Sequence, residues 1–83
     1  MYYVYIILCH NGSYYTGSTN NVTKRFNDHL KGRGARYTKS HKPVKIVYEE
    51  EFPNKSLALR REAKIKKWPR RKKLTLIGKA WTL

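Results

Sequence analysis

The stretch Tyr2-Tyr3-Val4-Tyr5-Ile6-Ile7-Leu8-Cys9, followed by His10-Asn11-Gly12-Ser13 and then Tyr14-Tyr15-Thr16-Gly17, decides the fold. Its first part is apolar on both alternate faces, as in a strand covered on each side, and is expected at the centre of a sheet. Asn11-Gly12 is a strong hairpin signal, so the second strand, from Tyr14, should run antiparallel beside the first. Two turns suit the dipeptide. A two-residue turn at Asn11-Gly12 sets Tyr15 opposite Leu8 and on the face away from Tyr5, because side chains alternate along a strand. A three-residue loop, His10 to Gly12 with Gly12 in the left-handed conformation, sets Tyr15 opposite Ile7, so that Tyr5 and Tyr15 share a face. The second register is preferred only for what the residues further along require of it.

Beyond the hairpin, Val22, Phe26 and Leu30 form an i, i+4, i+8 apolar stripe preceded by the capping candidates Thr19, Asn20 and Asn21, which predicts a first helix. Lys31 to Pro43 has glycines and cations without an apolar period and reads as an exposed, mobile loop. Val44 to Phe52 alternates, with Val44, Ile46, Tyr48 and Phe52 expected on one side of a third strand. Pro53-Asn54 ends it. Asn54 or Ser56 caps a second helix running to Trp68, with Ala58, Ile65 and Trp68 toward the core and Pro69 as its stop. Arg70 to Lys79 adds a short third helix carrying Leu74 and Ile77. The order ββαβαα predicts an α+β domain spanning 1–83, a three-stranded antiparallel sheet flanked by helices.

The chain has 83 residues with a net charge of +14, and eleven of its nineteen Lys/Arg residues follow Phe52. Such a field selects polyanions, and no apolar stretch is long enough to enter a bilayer, so nucleic acid is favoured over lipid. Met1 leads directly into a strand, with neither a basic leader nor a cleavage site, and the protein is expected in the cytoplasm. Cys9 is the only cysteine, which excludes an intrachain disulfide and a zinc knuckle and leaves it a buried small hydrophobe.

After Phe52 the only acid is Glu62, a lone carboxylate among cations that suits a divalent metal held beside a phosphate. It lies four residues after Ala58 and three before Ile65, at the margin of its helix's buried face, and can point toward the sheet. Gly17 ends the second strand without a side chain, leaving room for a backbone or a substrate. Arg25 and His29, at i and i+4, share a helical face offset from the Val22, Phe26, Leu30 stripe. Alone, each of these residues has an ordinary structural reading; their conjunction in one order is what is specific.

This ordered set resembles the GIY-YIG nuclease family. The first motif reads Tyr3-Val4-Tyr5 and the second Tyr15-Thr16-Gly17, followed by Arg25, His29 and then Glu62 within Arg61-Glu62-Ala63. The resemblance extends from Tyr2 to about Ile77 and is nearest to the small stand-alone bacterial members. It is more distantly similar to the nuclease modules of excision-repair incision proteins. Tyr3 stands where the first motif has glycine, and no asparagine follows Glu62, since Asn54 is the last in the chain.

What the resemblance implies is a metal-dependent endonuclease directed by nucleic-acid structure rather than sequence, with Tyr5, Tyr15, Arg25, His29 and Glu62 as its catalytic set. Glu62 would hold one Mg²⁺ or Mn²⁺ and Arg25 would neutralise charge on the phosphate. Tyr15 would take or relay the proton of the attacking water while Tyr5 helps position it, and His29 would assist in proton transfer. A tyrosine must be stabilised by about 4 kcal/mol before it is mostly ionised at neutral pH, which nearby cations and the metal would provide.

Lys31, Arg33, Arg36, Lys39, Lys42, Arg70, Arg71, Lys72 and Lys73, with Gly17, are the expected nucleic-acid contacts, and Tyr37 or Trp81 the expected stacking platform for an unpaired base. DNA is favoured over RNA as the partner. Two other readings stand beside this one: a non-catalytic basic nucleic-acid-binding module, and a nuclease subunit that needs a protein partner for targeting.

Overall fold

The computed structural model describes residues 1–81, and for 79–81 the backbone alone. Three strands, β1 (Tyr2–Cys9), β2 (Tyr14–Thr19) and β3 (Pro43–Phe52), form one antiparallel sheet with β1 in the middle, in the order β2-β1-β3. Four helices accompany them: α1 (Val22–Leu30), α2 (Arg36–Ser40), α3 (Lys55–Lys66) and α4 (Arg70–Trp81). The expected order therefore gains one short helix, α2, inside the segment read as a loop.

The hairpin takes the three-residue form. Gly12 has φ +86°, the Cys9 N–H donates to the Ser13 carbonyl (2.8 Å), and the Gly12 N–H donates to the Cys9 carbonyl (2.9 Å). Ile7 consequently faces Tyr15 and Tyr5 faces Gly17 across the strand pair.

Each face of β1 is buried in its own apolar cluster, which is why the strand is apolar throughout. Val4 and Ile6 pack with Val47, Ala58, Ile65 and Ile77 under α3 and α4, whereas Tyr5, Ile7 and Cys9 pack with Val22 and the half-buried Tyr15, Phe26 and Ile46 beside α1. Cys9 is buried and free, as expected of a small apolar residue.

Three details differ from the sequence reading. In α1 the inward face is Val22, Phe26 and His29, and Leu30 is 53% exposed while His29 is 1% exposed. A histidine displaces a leucine from the interior because both its ring nitrogens find partners there. In β3 the pairing slips between Ile6↔Tyr48 and Ile7↔Ile46, leaving Val47 as the extra residue of a bulge. Ile46 therefore lies on the Tyr5 side and Tyr48 and Phe52 on the other, and Val44 is exposed. In α4, Leu74 is exposed, and Ile77 with Leu76 makes the contact to the core. Helix starts follow the expected chemistry: the Asn21 side chain accepts from the Lys24 N–H and that of Asn54 from the Leu57 N–H. The end of α3 comes at Lys66, two residues before the expected Trp68.

Gly17 is where the hairpin's register becomes a packing constraint. A Cβ there would stand 2.5 Å from the Tyr5 hydroxyl oxygen and 3.1 Å from a Tyr15 ring carbon. Gly17→Ala is expected to destabilise the fold by about 1–3 kcal/mol, the usual cost of overpacking; urea denaturation measures it, and an unchanged midpoint would show that the phenol is free to move aside.

Candidate functional site

The space that Gly17 leaves is taken by Tyr5 rather than by a ligand. Tyr5 is 1% exposed, and its hydroxyl lies 2.8 Å from His29 Nε2. The His29 ring sits edge-on to both phenols, with centroids 5.9 Å from Tyr5 and 5.2 Å from Tyr15, and the two phenol rings are 6.4 Å apart. Arg25 lies one turn before His29 on α1, and its charge acts on the Tyr5 phenol. Positions 5, 15, 25 and 29, drawn from β1, β2 and α1, thus meet on one face of the sheet.

Glu62 arrives from the other face. α3 crosses below the sheet, and the Glu62 carboxylate comes up to the β2 edge, where Oε1 accepts from the Ser18 hydroxyl and Oε2 is 2.6 Å from the Lys66 ammonium. Lys66 continues around the edge to lie 5.9 Å above the Tyr15 ring. The carboxylate is close enough to act on the Tyr5 phenol, which sits behind side-chain-free Gly17.

Burial governs the titration of the inner groups. It pushes the Tyr5 phenol up to about 12, with the neighbouring Tyr15 adding to the rise and Arg25 opposing it. At Tyr5 the loss of water outweighs the guanidinium, in keeping with a phenol that positions and does not ionise. Burial also lowers the His29 imidazole, Arg25 reinforces that, and Asp28 opposes it. Both groups rest neutral at physiological pH.

Three residues absent from the sequence reading complete the arrangement. Thr38, buried in α2, has its Oγ1 2.6 Å from His29 Nδ1. Gly34 approaches the same ring so closely that a Cβ would collide with Nδ1. Ser18 holds Glu62. The only sequence signal for the first two is that a buried imidazole needs a partner on each nitrogen, which presupposes knowing that His29 is buried.

Cations surround this region unevenly. Lys31, Arg33, Arg36, Lys39 and Lys42 are all exposed on and around α2, the helix whose Tyr37 stacks toward Tyr15. Arg70 is committed elsewhere, donating to the Gly12 carbonyl (2.7 Å) and covering the Tyr14 ring, and Lys72 covers the Trp68 ring at 4.4 Å. Arg71 is exposed, and Lys73 is half-buried near Lys66, with its ammonium lowered by burial and by that neighbour. Glu49, Glu50 and Glu51 lie on β3, the opposite edge of the sheet from Ser18 and Glu62. Glu50 is paired with Arg61 (2.9 Å), which leaves Glu49 and Glu51 as the exposed acids of that strand. Tyr37 stacks on His41 at 4.2 Å and leans toward Tyr15 at 6.0 Å; the side chain of Trp81 lies outside the described residues.

The site of this basic α+β domain is thus a buried and a half-buried phenol beside an arginine and a histidine, with a lysine-paired carboxylate at the sheet edge. The GIY-YIG catalytic domain model matches residues 1–75, and the chain belongs to the GIY-YIG family, a family of generally metal-dependent nucleases acting on nucleic acid. The UPF0213 protein of Staphylococcus saprophyticus is 49% identical over 77 residues, covering 93% of this chain and 94% of its own. That of Xanthomonas axonopodis pv. citri is 44% identical over 73 residues, covering 88% and 72%. The solution NMR structure of the UPF0213 protein of Bacillus halodurans matches with a TM-score of 0.60 at 43% identity, covering 94% of this chain and 84% of that one.

The neutral, buried His29 makes stability pH-dependent in a definite direction. Its folded pKa lies below the unfolded value of about 6.5, so the unfolded chain binds the extra proton first and stability falls as pH drops below that value. On acidification from about pH 7.5 to 5.5, thermal melts should show a loss that is smaller in His29→Gln; equal losses in both proteins would refute the assignment.

Proposed function

We propose that this chain is a metal-dependent endonuclease that hydrolyses phosphodiester bonds and selects nucleic acid by structure rather than sequence, DNA ahead of RNA. The observation that carries this reading is the pairing of a partly exposed phenol and a guanidinium with a carboxylate at one sheet edge: Tyr15, Arg25 and Glu62 around the buried Tyr5.

A hard cation such as Mg²⁺ or Mn²⁺ is held by one or two carboxylates and otherwise by water and phosphate oxygens. Glu62 fits that requirement, since its Oε2 already accepts a cation, the Lys66 ammonium, at 2.6 Å. When bound, one such ion would polarise the phosphate and lower the pKa of a coordinated water. Ser18 would keep Glu62 oriented while Lys66 swings away.

The roles of the other residues follow from exposure. Tyr5 is too buried to face substrate, and with its phenol at about 12 a phenolate at pH 7 would be populated only on the order of 10⁻⁵. Tyr15, on the open side of the pair, is the phenol that takes the proton of the attacking water as its phenolate, or relays it by passing its own hydroxyl proton on to solvent. Arg25 neutralises charge growing on the non-bridging phosphate oxygens. His29, with both nitrogens engaged inside the protein, supports the site through Tyr5 instead of exchanging protons with substrate. Lys31, Arg33, Arg36, Lys39 and Lys42 track the phosphate backbone on the α2 side, and Arg71 and Lys73 on the α4 side.

One observation favours a second reading. The Lys66 ammonium neutralises Glu62, as it would in a nucleic-acid-binding module that uses the charge and not the chemistry. Labelled duplex, single-stranded and branched substrates, incubated with Mn²⁺ or with EDTA, separate the two. The nuclease reading expects Mn²⁺-dependent cleavage that Glu62→Gln lowers by about 100-fold or more while binding stays steeply salt-sensitive. Binding without any metal-dependent cleavage would establish the binder.

A further inference from the structure

The polar groups behind Tyr5 form a chain whose direction follows from counting protons. Thr38 Oγ1 lies 3.0 Å from the Ala35 carbonyl oxygen and 2.6 Å from His29 Nδ1. A carbonyl oxygen carries no proton, so the first contact is attractive only if the Thr38 hydroxyl donates into it. The hydroxyl has no second proton, and His29 Nδ1 must therefore be the donor. A neutral imidazole holds one N–H, which leaves Nε2 bare to accept from the Tyr5 hydroxyl at 2.8 Å.

The other end of the chain agrees. Were Nε2 protonated, the Tyr5 oxygen would accept from it while the phenol's own proton, in a residue 1% exposed, would have no partner among the hydrogen bonds of the described residues. Donation then runs one way: Tyr5 to His29, His29 to Thr38, and Thr38 to the Ala35 carbonyl. Gly34 permits it, because a side chain there would push this segment off the imidazole.

We propose that Thr38 is a positioning residue: by fixing His29 as the Nδ1–H tautomer it makes the Tyr5 hydroxyl a donor to the imidazole, and so fixes the rotation of the phenol beside Tyr15. That this ordered phenol serves a site that meets a phosphate rests on the nuclease reading above. The hydrogen-bond chain itself does not.

The test is ¹⁵N NMR of the imidazoles in the full chain, together with the variants Thr38→Val and Thr38→Ser. The parent should show His29 as the Nδ1–H tautomer. Thr38→Val should shift the population toward Nε2–H, and Thr38→Ser should restore the parent pattern. In cleavage assays Thr38→Val should lower kcat by about 10- to 100-fold with little change in KM, as loss of an orienting outer partner does, and Thr38→Ser should not. An Nε2–H tautomer in the parent, which needs no variant to fold, would overturn the proposal. So would a Thr38→Val protein that keeps both the parent tautomer and the parent rate. If the tautomer responds as expected but no nucleic acid is cut, the chain of donors stands and only the nuclease reading fails.

Discussion

The hydrogen bond between the Tyr5 hydroxyl and His29 Nε2 is the constraint on which most of this structure depends. A phenol and an imidazole both removed from water need partners for every donor, since a buried polar group left unpaired costs about 1–3 kcal/mol. That requirement turns α1 so that His29, and not Leu30, faces inward. It brings Thr38 back over the ring and forbids a side chain at Gly17 and at Gly34. The three-residue hairpin loop belongs to the same set of conditions, because only in that register does Tyr5 lie opposite Gly17.

Three of the five acids are on β3, where Glu50 is paired with Arg61 of α3, and the large excess of cations gives the molecule a field that attracts a polyanion. Glu62 stands at the β2 edge and is balanced there by Lys66. With Lys66 about half exposed, the pair contributes modestly to stability, and its structural effect is to hold the Glu62 carboxylate at the edge beside Ser18.

Much of the fold was legible because its signals are local. Strand β1 is apolar on both faces, Asn11-Gly12 marks the turn, Asn21 and Asn54 are capping residues, and Pro69 lies beyond the end of α3; each acts through neighbours a few residues away. The choice of hairpin register and the grouping of Tyr5, Tyr15, Arg25, His29 and Glu62 needed the family pattern as well. What escaped depends on distant groups. Helix α2 has only five residues and no apolar period, and is held by one buried threonine whose partner comes from α1. The bulge at Val47 hides within a sequence that alternates well, although the run Ile46-Val47-Tyr48 carries one more apolar residue than a single-faced strand uses. Ser18 reads as an ordinary strand-edge serine until α3 is placed against it.

The account is tested most directly by the ionisation of Tyr5 itself, followed through the ¹³Cζ resonance of labelled tyrosine with Tyr5→Phe as the assignment control. A buried donor to His29 should stay neutral far into the alkaline range, with a midpoint of about 12. A midpoint at or below the ordinary value of about 10 would contradict it, because the phenol would then be reached by water or held as an acceptor alone.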